Sequence, residues 1–415
     1  MRGPVLLVVN KKKRRLEVSE SVFAGLKVID CASYIAGPAA ATVMSDFGAE
    51  VIKIEPLTGD PYRTPGQPPA GNRAPVNPNW LVDSRNKKSL ALNLAGEAGR
   101  GILHRLVRGA DVFLTNYPPN VRKRLKLAYD DIAPLNPRLI YASFTGFGET
   151  GPDADKPGFD ATVWWARSGI MDLIRYGDAA PVRSPPGMGD HPSAMGFYSA
   201  IVTALYKRER TGKGSHVGSS LLMNGIWANA CSVQSALCGQ DVDRLPERSQ
   251  HPMPWRNCYR TSDGKWLMLS IVHNDDRWAT FRKAVQSELL DDLRFKDTPA
   301  RRENAVALTA ALDRIFAQRP AAEWEEILDE HGVVFGSAHN VFDLVNDEQA
   351  KISGALVPVA DGSMLTVSSP FWIADEAKLP AQRAPEIGQH SDAVLADAGY
   401  GAAEIAAFRK AGVVG

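Results

Sequence analysis

The chain has 415 residues, of which 44% are hydrophobic and 23% charged, values ordinary for a soluble globular protein. Its 48 Lys and Arg nearly cancel its 47 Asp and Glu, and the net charge of +1 supplies no global field for nucleic acid or an anionic membrane. No run approaches the roughly 18 to 20 apolar residues of a membrane span, so neither nucleic acid nor membrane is expected as a partner.

The length is too great for one core, and two domains are expected. The cysteines are Cys31, Cys231, Cys238 and Cys258, with no C-x-x-C spacing. Neither a zinc site nor a redox pair is suggested, and no metal is expected. They read as buried thiols in a reducing, cytoplasmic compartment. Near the start, the apolar run Val5–Val9 precedes the basic run Lys11–Arg15, the reverse of a signal peptide. Residues 1–22 read as an extension outside the core fold.

Leu26–Cys31 is a short apolar run that reads as a buried strand. Ala36-Gly37-Pro38 then opens a helical stretch, Ala39–Phe47, which Gly48 can cap. Val51–Glu55 is the next strand, so the segment is a βαβ unit and the sheet is at least partly parallel. Strands at Ser89–Leu94, Val112–Thr115 and Arg138–Phe144 follow, with helices at Glu97–Arg108, Tyr129–Leu135, Asp160–Ile174 and Ser193–Arg210. This half reads as a doubly wound α/β domain. Arg260–Ile271 reads as a hairpin turning at Ser262-Asp263-Gly264. Helices at Asp275–Val285, Thr309–Gln318 and Ala321–His331 complete a smaller α+β domain. Gly354–Ser369 reads as strands and turns, and Gly401–Ala411 as a final helix.

Several signatures are missing. The first turn, Tyr34-Ile35-Ala36-Gly37-Pro38, has no G-x-G-x-x-G, and no G-x-x-x-x-G-K-[ST], H-E-x-x-H or G-x-S-x-G occurs. Asp190 follows Gly187-Met188-Gly189 and stands just before the helix expected at Ser193. Helix-terminal N–H groups there favour an ionised carboxylate, which suits a nucleophile. The same position suits a helix-capping aspartate, and the local sequence leaves both readings open. Asp160 opens another helix with the same ambiguity. The two acidic helix starts could face one pocket and divide its work. Arg85, Lys87, Lys88, Arg122, Lys123 and Arg124 gather near strand ends. Such residues could grip phosphates or form a solvated face. Trp164 and Trp165 lie within one helix, and at least one of them is expected in the core.

Taken together, these residues resemble the class III CoA-transferases, the family of formyl-CoA transferase, carnitine CoA-transferase and α-methylacyl-CoA racemase. The resemblance runs from about Leu26 to Val413. It is carried in order by GLKVIDCASYIAGPAAATVMSDFGAEVIKIEP, by N-K-K-S-L at 86–90, by NPRLIYASFTGFGETGP at 136–152, by YKRERTGKGSHV at 206–217 and by PEIGQHSDAVLADAGY at 385–400. It implies a CoA-transferase that moves CoA from an acyl-CoA to a small carboxylic acid, with coenzyme A as substrate and carrier and no permanently bound cofactor. The nucleophile falls on Asp190, with Asp160 beside it. CoA contacts carry over to Ile35, Ala36, Leu92, Asn93, Leu94, Ala95, Asn116, Tyr117, Pro118, Arg124 and Phe159.

Departures shape the expectation. Ile35 replaces a polar residue of formyl-CoA transferase, and Pro56 replaces an arginine, so Arg85 or Lys88 is expected to share the phosphates. Phe159 stands where the racemase branch needs a histidine, which disfavours the alternative of an acyl-CoA racemase or epimerase. Ser249–Pro254 lacks the glycine run of formyl-CoA transferase. The implied fold is a Rossmann-like large domain built from both chain ends, a smaller α+β domain, and an interlocked homodimer. The expected boundaries are 23–225 for the first part of the large domain, 226–345 for a linker and the small domain, and 346–415 for a linker and the return.

Overall fold

The computed structural model describes residues 21–63, 77–271 and 275–415. The extension expected over residues 1–22 lies outside them except for its last two residues. The chain opens with β1 (Lys27–Cys31), α1 (Ala36–Asp46) and β2 (Glu50–Glu55). It continues through α2 (Pro78–Ser84), β3 (Lys87–Ala91), α3 (Glu97–Arg108), β4 (Val112–Thr115), α4 (Pro119–Leu125), α5 (Tyr129–Ile132) and β5 (Ile140–Thr145). A detour holds a π-helical stretch, Asp160–Arg167, and α6 (Ile170–Leu173). Then α7 (Asp190–Thr211) leads into β6 (Ser215–Ser220).

The six strands form one sheet in the order β3-β2-β1-β4-β5-β6, and every neighbouring pair is parallel. The central strands β1, β4 and β5 read as largely apolar runs, as expected where helices cover both faces. Every residue of α1 is buried. Its approach to the sheet depends on Gly37, where a Cβ would come within 2.6 Å of the Ala32 Cβ. The strand order reverses between β1 and β4, which opens a crevice beyond the carboxyl ends of these two strands.

Buried charges interrupt this apolar interior, with Asp30 at their centre. Asp30 in β1 is wholly buried and lies opposite Lys53 of β2 in the register. Lys87 Nζ is 2.8 Å from Asp30 Oδ2, and Lys53 Nζ is 3.9 Å from Asp30 Oδ1. Burial alone would raise the Asp30 carboxyl. The two ammonium groups, with hydrogen bonds from Lys87 and the Ala32 N–H, hold it below the usual carboxylate range.

The chain divides into two compact units. One comprises Met1–Pro157, Asp190–Ser220 and Val357–Gly415, and the other Gly158–Gly189 and Leu221–Leu356. Gly158–Gly189 groups with the second, because α8 (Leu221–Ala228) packs on the π-helical stretch at Gly225, where a Cβ would meet the Trp164 carbonyl at 2.7 Å. The second unit continues through α9 (Ala230–Leu237) and contains a three-stranded antiparallel sheet, β7 (Cys258–Arg260), β8 (Trp266–Leu269) and β9 (Phe335–Ser337). Around it lie α10 (Asp275–Val285), α11 (Thr298–Glu303), α12 (Ala305–Phe316) and α13 (Ala321–Glu330). Tyr259, Phe281, Leu312, Phe316 and Trp324 form its core.

Three expectations need correction. The helix expected over Asp160–Ile174 is broken at Gly169, which takes φ +89°, and its first part is π-helical. The helix expected from Ser193 begins at Asp190, since Pro192 is tolerated in a first turn. Of the four cysteines only Cys31 is buried; Cys231 and Cys238 are exposed and Cys258 is half-buried.

Replacing Lys53 by Met leaves Asp30 and Asp60 short of a buried countercharge. Removing one partner of such a pair costs about 3–5 kcal/mol. The K53M variant is expected to lose stability on that scale in urea unfolding; an unchanged midpoint would refute the assignment.

Candidate active site

The crevice at the strand reversal is pinned by one side chain. Asn116, just after β4, accepts the Ser33 N–H at 2.8 Å and donates to the Ser33 carbonyl at 2.6 Å. This ties together the turns that follow β1 and β4. Ile35 and Ala36 are buried at the start of α1, and Pro118 leads into α4. The Tyr117 N–H donates to Thr115 Oγ1 at 3.3 Å, and burial keeps its phenol above the usual tyrosine range. Leu92–Ala95 follow β3 at the same sheet edge, with Leu92 and Leu94 buried and Asn93 and Ala95 exposed. The structure therefore brings Ile35, Ala36, Leu92, Asn93, Leu94, Ala95, Asn116, Tyr117 and Pro118 to one edge. Arg124 is exposed in the last turn of α4.

Two expected phosphate ligands do not belong to this edge. Arg85 is buried, with Nε and Nη2 on the Asp46 carboxylate at 3.0 and 2.6 Å and Nη1 on the Val82 carbonyl at 2.7 Å. Its donors are committed to holding α1 against the turn before β3. Lys88 is the second residue of β3, toward the opposite end of the strands, where it pairs with Glu50 at 2.5 Å and Asp397 at 3.8 Å. Arg122 is likewise spent on Glu149, at 2.7 Å.

Asp190 is the first residue of α7. Because α7 leads into β6, which runs parallel to β5, its N-terminus lies at the carboxyl edge of the sheet. The first-turn N–H groups and the helix dipole favour an anion there. His191 Nε2 lies 3.0 Å from Oδ1 of the buried Asp83, at the end of α2. Tyr62 is close enough to feel Asp190. Burial, then Asp83 with its hydrogen bond, then Asp190 and Asp60 push its phenol far above the ordinary tyrosine range. Tyr62 therefore stays a protonated donor. Cys31 is excluded as a nucleophile at neutral pH, since burial pushes its thiol up to about 12.

Sequence reasoning gave no role to Asp83 or His191. They stand 108 positions apart, so no local spacing could have paired them. In the second unit, Phe159 is 57% exposed and its N–H donates to Thr162 Oγ1 at 3.1 Å. Asp160 accepts the Gly189 N–H on Oδ2 at 3.5 Å. Gly189 immediately precedes Asp190, so Asp160 holds the peptide that delivers the nucleophile candidate. Trp164 and Trp165 are both buried. Among the described residues no group of three or more His, Cys, Asp or Glu is arranged to hold a metal, and no helix is long and apolar enough to cross a membrane.

The profile of CoA-transferase family III matches residues 23–391. The (R)-2-hydroxy-4-methylpentanoate CoA-transferase of Clostridioides difficile is 31% identical over 397 residues, covering 94% of this chain and 98% of that protein. The cinnamoyl-CoA:phenyllactate CoA-transferase of Clostridium sporogenes is 31% identical, covering 95% and 98%. Among solved structures, a CAIB/BAIF family protein from Brucella suis superposes with a TM-score of 0.81 at 30% identity, covering 91% of this chain and 100% of that one.

A Cβ on Gly189 would stand 2.6 Å from the Trp164 ring. Overpacking of this kind costs about 1–3 kcal/mol. Gly189→Ala should shift tryptophan fluorescence and lower the unfolding midpoint; a variant identical to wild type in both would show that the contact relaxes without cost.

Proposed function

We infer that this chain, which belongs to CoA-transferase family III and is an enzyme of that family, transfers CoA through a covalent intermediate on Asp190. The observation that carries the reading is the position of Asp190, on the first turn of α7 at the carboxyl edge of the sheet that also bears the strand-reversal crevice.

The reaction balances in four steps. The Asp190 carboxylate attacks the thioester carbonyl of an acyl-CoA. The C–S bond breaks, CoA leaves as thiolate, and a mixed anhydride remains. The thiolate attacks the aspartyl carbonyl of the anhydride, releasing the donor acid as carboxylate and leaving an aspartyl-CoA thioester. The acceptor carboxylate then attacks that thioester, giving a second anhydride and the thiolate. The thiolate attacks the acceptor carbonyl of this anhydride, which regenerates Asp190 and releases the new acyl-CoA. Each addition places negative charge on a carbonyl oxygen, where fixed N–H and O–H donors lower the barrier. No metal or bound cofactor enters these steps, and coenzyme A is the carrier.

Ile35, Ala36, Leu92–Ala95 and Asn116–Pro118 are proposed to hold the nucleotide and pantetheine. Arg124 is the proposed phosphate ligand, since Arg85 and Lys88 are committed elsewhere. Phe159 is proposed to line the thiol end, and Asp160 to position the Gly189–Asp190 peptide. The proposed assembly is an interlocked homodimer in the cytoplasm. The exposed apolar residues of α8 and α9, Met223, Trp227 and Leu237, support a partner chain there. The acceptor is proposed to be a small carboxylic acid, and 2-hydroxy acids are the first class to test, because two relatives are named for them.

Asp190→Ala should abolish both turnover and the hydroxylamine-trapped adduct, whereas Asp160→Ala should slow turnover and still allow the adduct to form. Mapping of the modified peptide after incubation with a panel of acyl-CoAs decides this; an adduct elsewhere, or full activity in Asp190→Ala, sinks the assignment. A charge-assisted hydrogen bond is worth about 1.5–3 kcal/mol. Arg124→Ala should therefore raise the KM for acyl-CoA about tenfold or more, and Lys88→Ala should leave it within about twofold; the reverse ranking would overturn the phosphate assignment.

A further inference from the structure

The transfer steps give no part to the polar groups that surround Asp190 in its own unit. Those groups form one connected chain. Asp60 Oδ1 accepts the Tyr62 N–H at 2.9 Å, and Asp60 Oδ2 is 2.8 Å from Lys53 Nζ. Lys53 and Lys87 both face Asp30, and Lys87 Nζ donates to the Asp83 carbonyl at 2.8 Å. His191 attaches to this chain through Asp83 Oδ1 at 3.0 Å. Asp30, Lys53, Asp60, Asp83 and Lys87 are all buried.

The first turn of α7 needs such an anchor. It is approached through Gly187, at φ +77°, and Gly189, which impose little rigidity on the residues after them. The opening N–H groups of a helix have no partners within it, and an untethered first turn frays. His191 is in that turn, directly after Asp190. Its bond to Asp83 fastens the turn to α2, and α2 is in turn fixed to α1 by the Thr42 hydroxyl, which donates to the Asp83 carbonyl at 2.7 Å.

Resting on the Asp190 reading, we propose that Asp83 is the positioning residue of this site: its carboxylate holds His191, and with it the first turn of α7, in the attacking geometry. No proton is transferred in this role, so the balance of the four steps is unchanged. His191 and Asp83 act through Asp190 and are not themselves catalytic residues.

The test uses the half-exposed His191, whose replacement leaves the core intact. In the full-length enzyme, His191→Ala should speed amide hydrogen exchange across residues 190–195 and lower kcat about tenfold to a hundredfold, with the KM for acyl-CoA changed less than about threefold. Gln places an N–H near the position of Nε2, so His191→Gln should recover most of both losses. Asp83→Asn combined with His191→Ala should be no slower than the worse single variant. The proposal is overturned if His191→Ala exchanges and turns over like wild type, if His191→Gln is as impaired as His191→Ala, or if the two losses multiply. The transfer reading has a separate fate: a hydroxylamine-labelled peptide lacking Asp190 defeats that reading, while the exchange data still judge the tether.

Discussion

Asp30 is a full negative charge in the middle of a strand that is otherwise built to be dry, and much of the first unit is organised around compensating it. A lone buried carboxylate would cost several kcal/mol. Lys53 and Lys87, on β2 and β3, supply the countercharges from strands that the sheet order places successively outward on one side of β1. The arrangement also fixes register. A slip of one residue between β1 and β2 would turn Lys53 to the other face and strand Asp30. The charge thus helps specify the alignment of three strands, at a depth where apolar contacts alone would tolerate neighbouring alignments.

The same logic extends outward from the sheet to the turn that carries Tyr62. Glu55, at the end of β2, is buried and accepts from Arg63 Nε and Nη2 at 2.7 and 2.6 Å, from the Asp60 N–H at 2.9 Å and from Ser89 Oγ at 2.5 Å. Arg63 stacks over Trp80 at 3.9 Å and donates to the Pro385 carbonyl at 2.9 Å. Asp60 is clamped by Lys53 from below, and Arg63 by Glu55 from the side. Tyr62 lies between these clamps, and its N–H is held by Asp60 and its carbonyl by Asn77.

How far this was legible in the sequence depended on what each residue answers to. Lys27–Cys31, Glu50–Glu55, Val112–Thr115 and Glu97–Arg108 could be read almost to the residue, because an apolar run or a helical stripe is a local signal. Ser215–Ser220 could not, since an edge strand of Ser, Gly and His carries little β propensity and pairs only because β5 lies beside it. The resemblance singled out Asp190 and residues that follow β1, β3 and β4. Arg85 was misassigned because sequence shows a charge but not its partner; Asp46, which neutralises it, lies 39 positions away. Asp83 and His191 went unrecognised for the same reason, as their contact joins α2 to α7, 108 positions apart.

The outer edge of β3 is finished by chain that comes much later. Ser89 donates its N–H to His390 Nδ1, 301 positions on, and the His390 N–H returns to the Ser89 carbonyl. Val413 accepts from the Asn93 N–H, Val414 bridges to Leu92 and Gly415 donates to Ala91. On the ribosome, this edge of the sheet stays unpaired until residues 388–415 have emerged, with the second unit made in between. Closure over so long a separation adds only modestly to the entropy cost, but it slows folding and leaves an open strand for any other chain to pair with. The enzyme's exposure to misassembly is therefore greatest during synthesis, in the interval between β3 and residues 388–415.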